Sequence, residues 1–306
     1  MRVFVAGATG VLGRPTTAAL VAAGHAVRGS SRGNDKAALL KTLGAEPIEV
    51  NLYDEAESRH AVAGVDAVIR LTTKIPPLSK MRSRSAWAEN NRLRTEGARV
   101  LVNAALAERV PIYLHESVTF VYADSGERWI EEDAPTDAGE GDILRCTLQG
   151  EREAMRFSES GGHGVVLRFG GFYASDAPST IDMARMARRR MLALVGRGDN
   201  YFSSIYVPDA ARAVVAALNA PSGIYNVADD EPLPFRDYVN TLCAAVGAPK
   251  PMRLPGFVGQ WMFGDVWNYF SRSQRVSNAK LKKATGWSPI VKSARQGWAE
   301  IGQGLK

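Results

Sequence analysis

The sequence predicts an α/β fold, a doubly wound parallel sheet with a small C-terminal substrate lobe. Three observations carry that expectation. A short apolar strand at the N-terminus runs into a glycine-rich turn and a helix. Strand-length apolar runs alternate with helical stretches through the first half of the chain. Those runs are continuously apolar, as in parallel strands covered on both faces. The 306 residues suffice for one large α/β domain or two unequal ones.

Arg2 to Ala6 reads as the first strand, and Gly7-Ala8-Thr9-Gly10-Val11-Leu12-Gly13 follows at once. Arg14 to Ala23 then has helical spacing. In such a turn the first glycine lets the chain leave the strand sharply. The second lets the backbone approach a pyrophosphate, and the third lets the helix pack on the sheet. The helix N-terminus adds unpaired N–H groups and a partial positive charge. Gly7, Thr9, Gly10, Val11, Leu12 and Gly13 are therefore candidate dinucleotide-binding residues, and the fold is of the Rossmann type.

Val27 to Ser30 is the second predicted strand, Asp35 to Leu43 a helix, Glu46 to Val50 a strand, Ala56 to Ala63 a helix and Val65 to Leu71 a strand. Trp87 to Glu108 reads as one long helix, with Val100, Leu101, Ala104 and Ala105 at helical spacing. Ile112 to His115 and Val165 to Arg168 are further strands. Prolines break the pattern after about residue 175. The expected division is a dinucleotide-binding domain over 1–175 and a substrate lobe over 176–306. Segments at about 205–228 are expected to return to the sheet.

The apolar fraction of 45% is ordinary for a globular chain. No run approaches the ~20 apolar residues of a membrane span, and the N-terminus reads as a core strand, not a signal peptide. Cys146 and Cys243 are the only cysteines and lack metal-ligand spacing, and the four histidines are scattered. No metal site is expected, and the expected location is the cytoplasm. The charge of +6, from 38 basic and 32 acidic residues, is mild. Arg188-Arg189-Arg190 is the densest run; with no nucleic-acid motif beside it, it reads as a solvated helix face.

The end of the second strand distinguishes the two nicotinamide dinucleotides. Gly29-Ser30-Ser31-Arg32-Gly33-Asn34-Asp35-Lys36 puts no carboxylate at the strand tip, where NAD sites usually place one. Ser31 can bond a 2′-phosphate and Arg32 can pair with it in a fork geometry, with Arg14 in reach of the same place. NADP(H) is the expected cofactor, and Asp35 is the residue that argues the other way.

Taken together, these segments resemble the short-chain dehydrogenase/reductase superfamily, in its extended epimerase/dehydratase-like branch. The similarity runs through the glycine turn, Asn51-Leu52 where relatives hold adenine, Gly64 to Ile69, Tyr206 to Ala213, Gly223 to Val227 and Leu281 to Pro289. It implies that Asn51 and Leu52 flank the adenine, and that Leu71, Thr72 and Thr73 line the ribose and nicotinamide side. It also implies a catalytic Ser/Thr, a Tyr that relays the proton and a Lys that lowers the Tyr pKa and holds the nicotinamide ribose. His115-Glu116-Ser117-Val118-Thr119-Phe120-Val121-Tyr122 resembles the serine-bearing stretch, so Ser117 or Thr119 is the candidate hydroxyl.

The Tyr-x-x-x-Lys motif is missing. No tyrosine lies between Tyr122 and Tyr173, and Arg145 and Gln149 stand where the Tyr and Lys belong. Gln149 then replaces the Lys at the cofactor. Tyr173 and Lys74 join Ser117 and Thr119 as catalytic candidates. Residues 254–270 carry Trp261, Phe263, Trp267, Tyr269 and Phe270, which reads as a core or dimer-forming helix or as a lid over an apolar substrate. The expected function is an atypical NADPH-dependent oxidoreductase that reduces a ketone or aldehyde on an apolar or aromatic small molecule. The alternatives are a nucleotide-sugar epimerase/dehydratase and a non-catalytic NADP(H)-sensing regulator. The expected partner is the small-molecule substrate, with a homodimer as a candidate assembly and neither nucleic acid nor membrane.

Overall fold

The computed structural model describes residues 1–139 and 142–305. Seven parallel strands form its central sheet: β1 (Arg2–Ala6), β2 (Ala26–Ser31), β3 (Glu46–Glu49), β4 (Ala67–Arg70), β5 (Ile112–Val118), β6 (His163–Phe169) and β7 (Gly223–Val227). Their spatial order is 7-6-5-4-1-2-3. The chain starts in the middle and winds outward in both directions, so the order reverses between β1 and β4. At such a point the crossovers leave toward opposite faces, and a crevice opens at the carboxyl ends of the strands.

Each face buries its own core. On one, α1 (Gly13–Ala22) and α8 (Val207–Ala217) cover Val3, Val5, Ile69, Leu114 and Leu167. On the other, α3 (Glu55–Val62), α5 (Ala98–Ala107) and α6 (Asp142–Glu159) cover Phe4, Val68, Tyr113 and Val166. The alternation of partners along β1 and β4 is the two-residue pleat of a strand buried on both sides. β7 belongs to this sheet although it lies late in the chain; it pairs with β6 from Gly223 opposite Val165 to Val227 opposite Phe169. A third core is aromatic. Tyr173, Tyr238 and Trp298 pack together where α9 (Phe235–Ala245) and α13 (Ala294–Gly302) meet.

Three elements differ from the sequence reading. The expected unbroken helix begins earlier, as α4 (Arg84–Arg92), and passes through a π turn at Leu93–Gly97 before continuing as α5. The wider turn shifts the hydrogen-bond ladder, and Arg70 Nη2 donates to the Leu93 carbonyl at 2.6 Å. β5 runs on to Val118, because Glu116 and Ser117 pair with Leu167 and Arg168 of β6 despite their polarity. The aromatic stretch 254–270 is also broken, into α10 (Phe257–Phe263), a 3₁₀ turn and α11 (Trp267–Phe270). Phe257 and Trp261 stand in solvent, so that face of the stretch is not core.

No described helix is long and apolar enough to cross a membrane. Among the described residues, no three His, Cys, Asp or Glu side chains converge as metal ligands.

Candidate active site

A cleft of about 600 Å³ lies along the carboxyl ends of β1, β2 and β4. Its floor is the glycine turn. Gly7 has φ +87°, and a Cβ there would stand 2.9 Å from the Leu71 carbonyl carbon. A Cβ on Gly13 would stand 2.0 Å from the Gly7 carbonyl oxygen, which fixes the close approach of α1 to the turn. Gly7, Thr9, Gly10, Val11 and Leu12 face the cleft, while Gly13 lies behind them as a packing residue. No acidic residue stands in the first turn of α1, so its positive end is uncompensated.

At one end of the cleft the wall is Ser31, Arg32 and Lys36. Asp35 is exposed on the first turn of α2 (Asn34–Thr42) and is not part of the lining. Lys36 was not singled out from the sequence; one helical residue decides which of the two neighbouring side chains turns inward. Asn51, Leu52 and Tyr53 continue this wall, and Leu71, Thr72 and Thr73 form the middle. Apart from Gly13, which packs behind the turn, the expected binding residues thus share one cleft, with two exceptions. Arg14 turns aside to an ion pair with Asp176 at 3.0 Å. Gln149 is exposed on α6 and is not in the lining. A backbone cradle that a Cβ would fill, an uncompensated helix N-terminus and two cations at the β2 tip fit a dinucleotide carrying an extra phosphate.

The far end has apolar walls, Ile75, Pro76, Pro77 and Met81 on one side and Phe172 and Pro178 on the other, with Ser179 and the Asp182 carboxylate beside Pro178. Of the four catalytic candidates, Lys74 alone lines the cleft, its backbone N–H donating to Asn90 Oδ1 at 3.1 Å. Ser117 points to the opposite face of β5, fully buried, and donates to Glu151 Oε1 at 2.5 Å. Arg168 Nε and Nη2 clamp the same carboxylate at 2.9 and 2.6 Å. Ser117 therefore belongs to a buried ion-pair cluster, which corrects its assignment as the orienting hydroxyl. Thr119 is likewise buried, in a 3₁₀ turn behind the strand end. Tyr173 is fully buried and donates to Asp229 Oδ2 at 3.1 Å. Burial, and then the Asp229 carboxyl, push its hydroxyl far above the ordinary tyrosine value. Tyr173 does not line the cleft, so a molecule bound there does not meet its hydroxyl.

What the sequence reading missed lies under the middle of the cleft. Arg94, carried inward by the π turn, donates through Nη2 to Glu116 Oε1 at 3.1 Å, and Glu116 lines the cleft. Arg70 and His115 are buried beside them. The available signal is a pair of ionisable residues, His115-Glu116, at the end of a predicted strand. Burial, and then Arg70 and Arg94, hold the His115 ring well below the ordinary value of 6.5. The folded chain therefore keeps this ring neutral when the unfolded chain takes up a proton. Its contribution is complete above about pH 6.5 and is lost as pH falls, by about 1.4 kcal/mol per pH unit. A His115→Leu variant should show a shallower fall in urea midpoint between about pH 6.5 and 5 than the native chain; parallel profiles would contradict this.

The model of the NAD dependent epimerase/dehydratase family matches residues 3–228. A 3-diazoavenalumate denitrifying reductase from a Streptomyces species is 32% identical, over 97% of this chain and 99% of that protein. A 2-alkyl-3-oxoalkanoate reductase from Stenotrophomonas maltophilia is 27% identical, over 87% and 82%. Among solved structures, a human epimerase family protein, SDR39U1, determined with NADPH, covers 99% of both chains with a TM-score of 0.82. At 22% identity that likeness is one of fold.

Proposed function

Since the chain belongs to the NAD-dependent epimerase/dehydratase family of the short-chain dehydrogenase/reductase superfamily, we propose that it is an NADPH-dependent reductase of apolar or aromatic small molecules, and that it works without the family's Tyr/Lys dyad. The observation that carries the reading is the cleft itself: Ser31, Arg32 and Lys36 at one end and an apolar pocket with Lys74 at the other. The two cations suit a 2′-phosphate and add little for a cofactor that lacks it. Relatives named as reductases support hydride delivery to an external acceptor.

The dinucleotide, when bound, supplies the hydride. The chain's part is placement and charge. The walls from Ile75 to Pro77 and at Phe172 and Pro178 hold an apolar acceptor and exclude water around it. Lys74 meets the oxygen that gains negative charge when a carbonyl carbon accepts hydride, and the proton that completes the alcohol comes from its ammonium or from water at the open mouth. Epimerisation needs a group that takes a proton from a hydroxyl and returns it. Arg145 and Gln149, at the dyad positions, supply none.

Loss of NADPH absorbance with a panel of aromatic ketones, quinones and aryl diazonium ions, with NADH in parallel, tests the reading. Consumption is expected with NADPH, and Lys74→Ala should lower kcat at least about tenfold. Binding of NADPH with no consumption would favour a sensing role instead, and NAD retained through purification would favour an internal redox cycle.

A further inference from the structure

Four ionisable side chains cluster at the carboxyl ends of β4 and β5, and the reduction just described leaves them without a role. Arg70, Arg94, His115 and Glu116 are 1, 2, 0 and 3% exposed. The Arg94–Glu116 contact uses one oxygen and one nitrogen only. Glu116 Oε2, Arg94 Nη1, and Nε and Nη1 of Arg70 are buried with no protein partner. Buried charged atoms left without hydrogen bonds are costly, and of these side chains Glu116 lines the cleft, where a bound molecule can meet its free oxygen.

The strand register places that oxygen. Arg70 pairs with His115, so Leu71 and Glu116 follow side by side, and both line the cleft. Leu71 is a residue of the ribose and nicotinamide wall. In the superfamily a lysine ammonium holds the nicotinamide ribose, but here that position is Gln149, which lies outside the cleft. We propose that Glu116, fixed by Arg94, holds the hydroxyls of the nicotinamide ribose in place of the missing lysine. A carboxylate accepts hydrogen bonds from a vicinal diol, as the acidic residue at the β2 tip does for the adenine ribose in NAD sites. The polarity of the contact is inverted: the lysine donates to the ribose oxygens, whereas Glu116 accepts from their hydrogens. Arg94 balances the carboxylate's charge in the dry floor of the cleft. The lysine's second task, lowering a tyrosine pKa, disappears with the tyrosine, so an acceptor suffices.

This rests on the NADP(H) reading of the cleft, and two ligands separate the two ideas. 2′,5′-ADP carries the 2′-phosphate and adenine ribose but has no nicotinamide ribose. Calorimetric titration of Glu116→Gln should show NADPH affinity lowered about tenfold with 2′,5′-ADP unchanged. The double variant Arg94→Met/Glu116→Leu removes the pair without leaving a lone charge and should show the same differential loss; it serves if the single variant does not fold. Unchanged NADPH affinity, or equal loss on both ligands, overturns the proposal while the cofactor reading stands. Failure of the native chain to bind 2′,5′-ADP overturns both.

Discussion

Replacing Arg32 and Lys36 together by alanine is expected to weaken NADPH binding about 100-fold and to leave NADH within about twofold, because each charge-assisted contact to the 2′-phosphate contributes on the order of 1.4 kcal/mol, or tenfold. Both side chains line the cleft beside Ser31, and both are exposed. Exposure makes the contacts sensitive to salt, so the native chain's preference for NADPH should shrink as ionic strength rises. Ser31 is largely buried and remains in the variant as a neutral hydrogen-bonding residue. Dissociation constants for both nucleotides, in both proteins and at two salt concentrations, check the expectation. A native chain that binds NADH as tightly as NADPH, or a variant that loses both equally, would count against it.

The largest effect on stability is expected from Arg168→Met. Arg168 and Glu151 are nearly fully buried, joined by two hydrogen bonds, with Ser117 on the same carboxylate. The pair links β6 to α6, and the Arg168 guanidinium also lies over the Tyr122 ring, 4.7 Å from its centroid. Removing the arginine strands a carboxylate in the core, a loss of about 3–5 kcal/mol. Removing both, as Arg168→Met/Glu151→Leu, should restore much of it, because the cost lies in the uncompensated charge and not in the absent pair. Urea midpoints at constant slope measure both. A single variant within about 1 kcal/mol of native would mean that water reaches Glu151.

These two predictions rest on features of very different visibility. The β1 turn is local: strand, glycine spacing and helix lie within the first 23 residues, and the β2 tip follows by residue 36, so the cleft floor and the β2 tip are legible in the sequence alone. The same holds for the absence of the Tyr/Lys dyad. Ser117 and Tyr173 were misassigned for a different reason. Which face of β5 a side chain takes depends on register with β6, and the strand was longer than its apolar core suggested. Tyr173 sits at the end of a short strand, Gly171–Tyr173, that pairs with Ser204–Tyr206, a contact over thirty residues that no local pattern encodes. The Arg94–Glu116 pair was hidden for both reasons, since it joins two elements and depends on a turn that leaves no mark in the periodicity.

That turn has a consequence for insertions and deletions. A π turn closes its hydrogen bond over five residues where an α turn uses four, so Leu93–Gly97 holds one residue more than a regular helix would. Deleting one residue of the segment, with the helix closing there as an ordinary α-helix, would keep α4 and α5 nearly in phase, because the wider turn spreads about the same rotation over one more residue. Trp87 and Asn90, buried on α4, and Val100 and Leu101, buried on α5, would keep facing inward, while the side chains of the turn between them would be re-aimed. The aim of Arg94 is thus set by the one extra residue between two anchored helix faces, and a deletion here would cost the Arg94–Glu116 contact before it cost the packing of either helix.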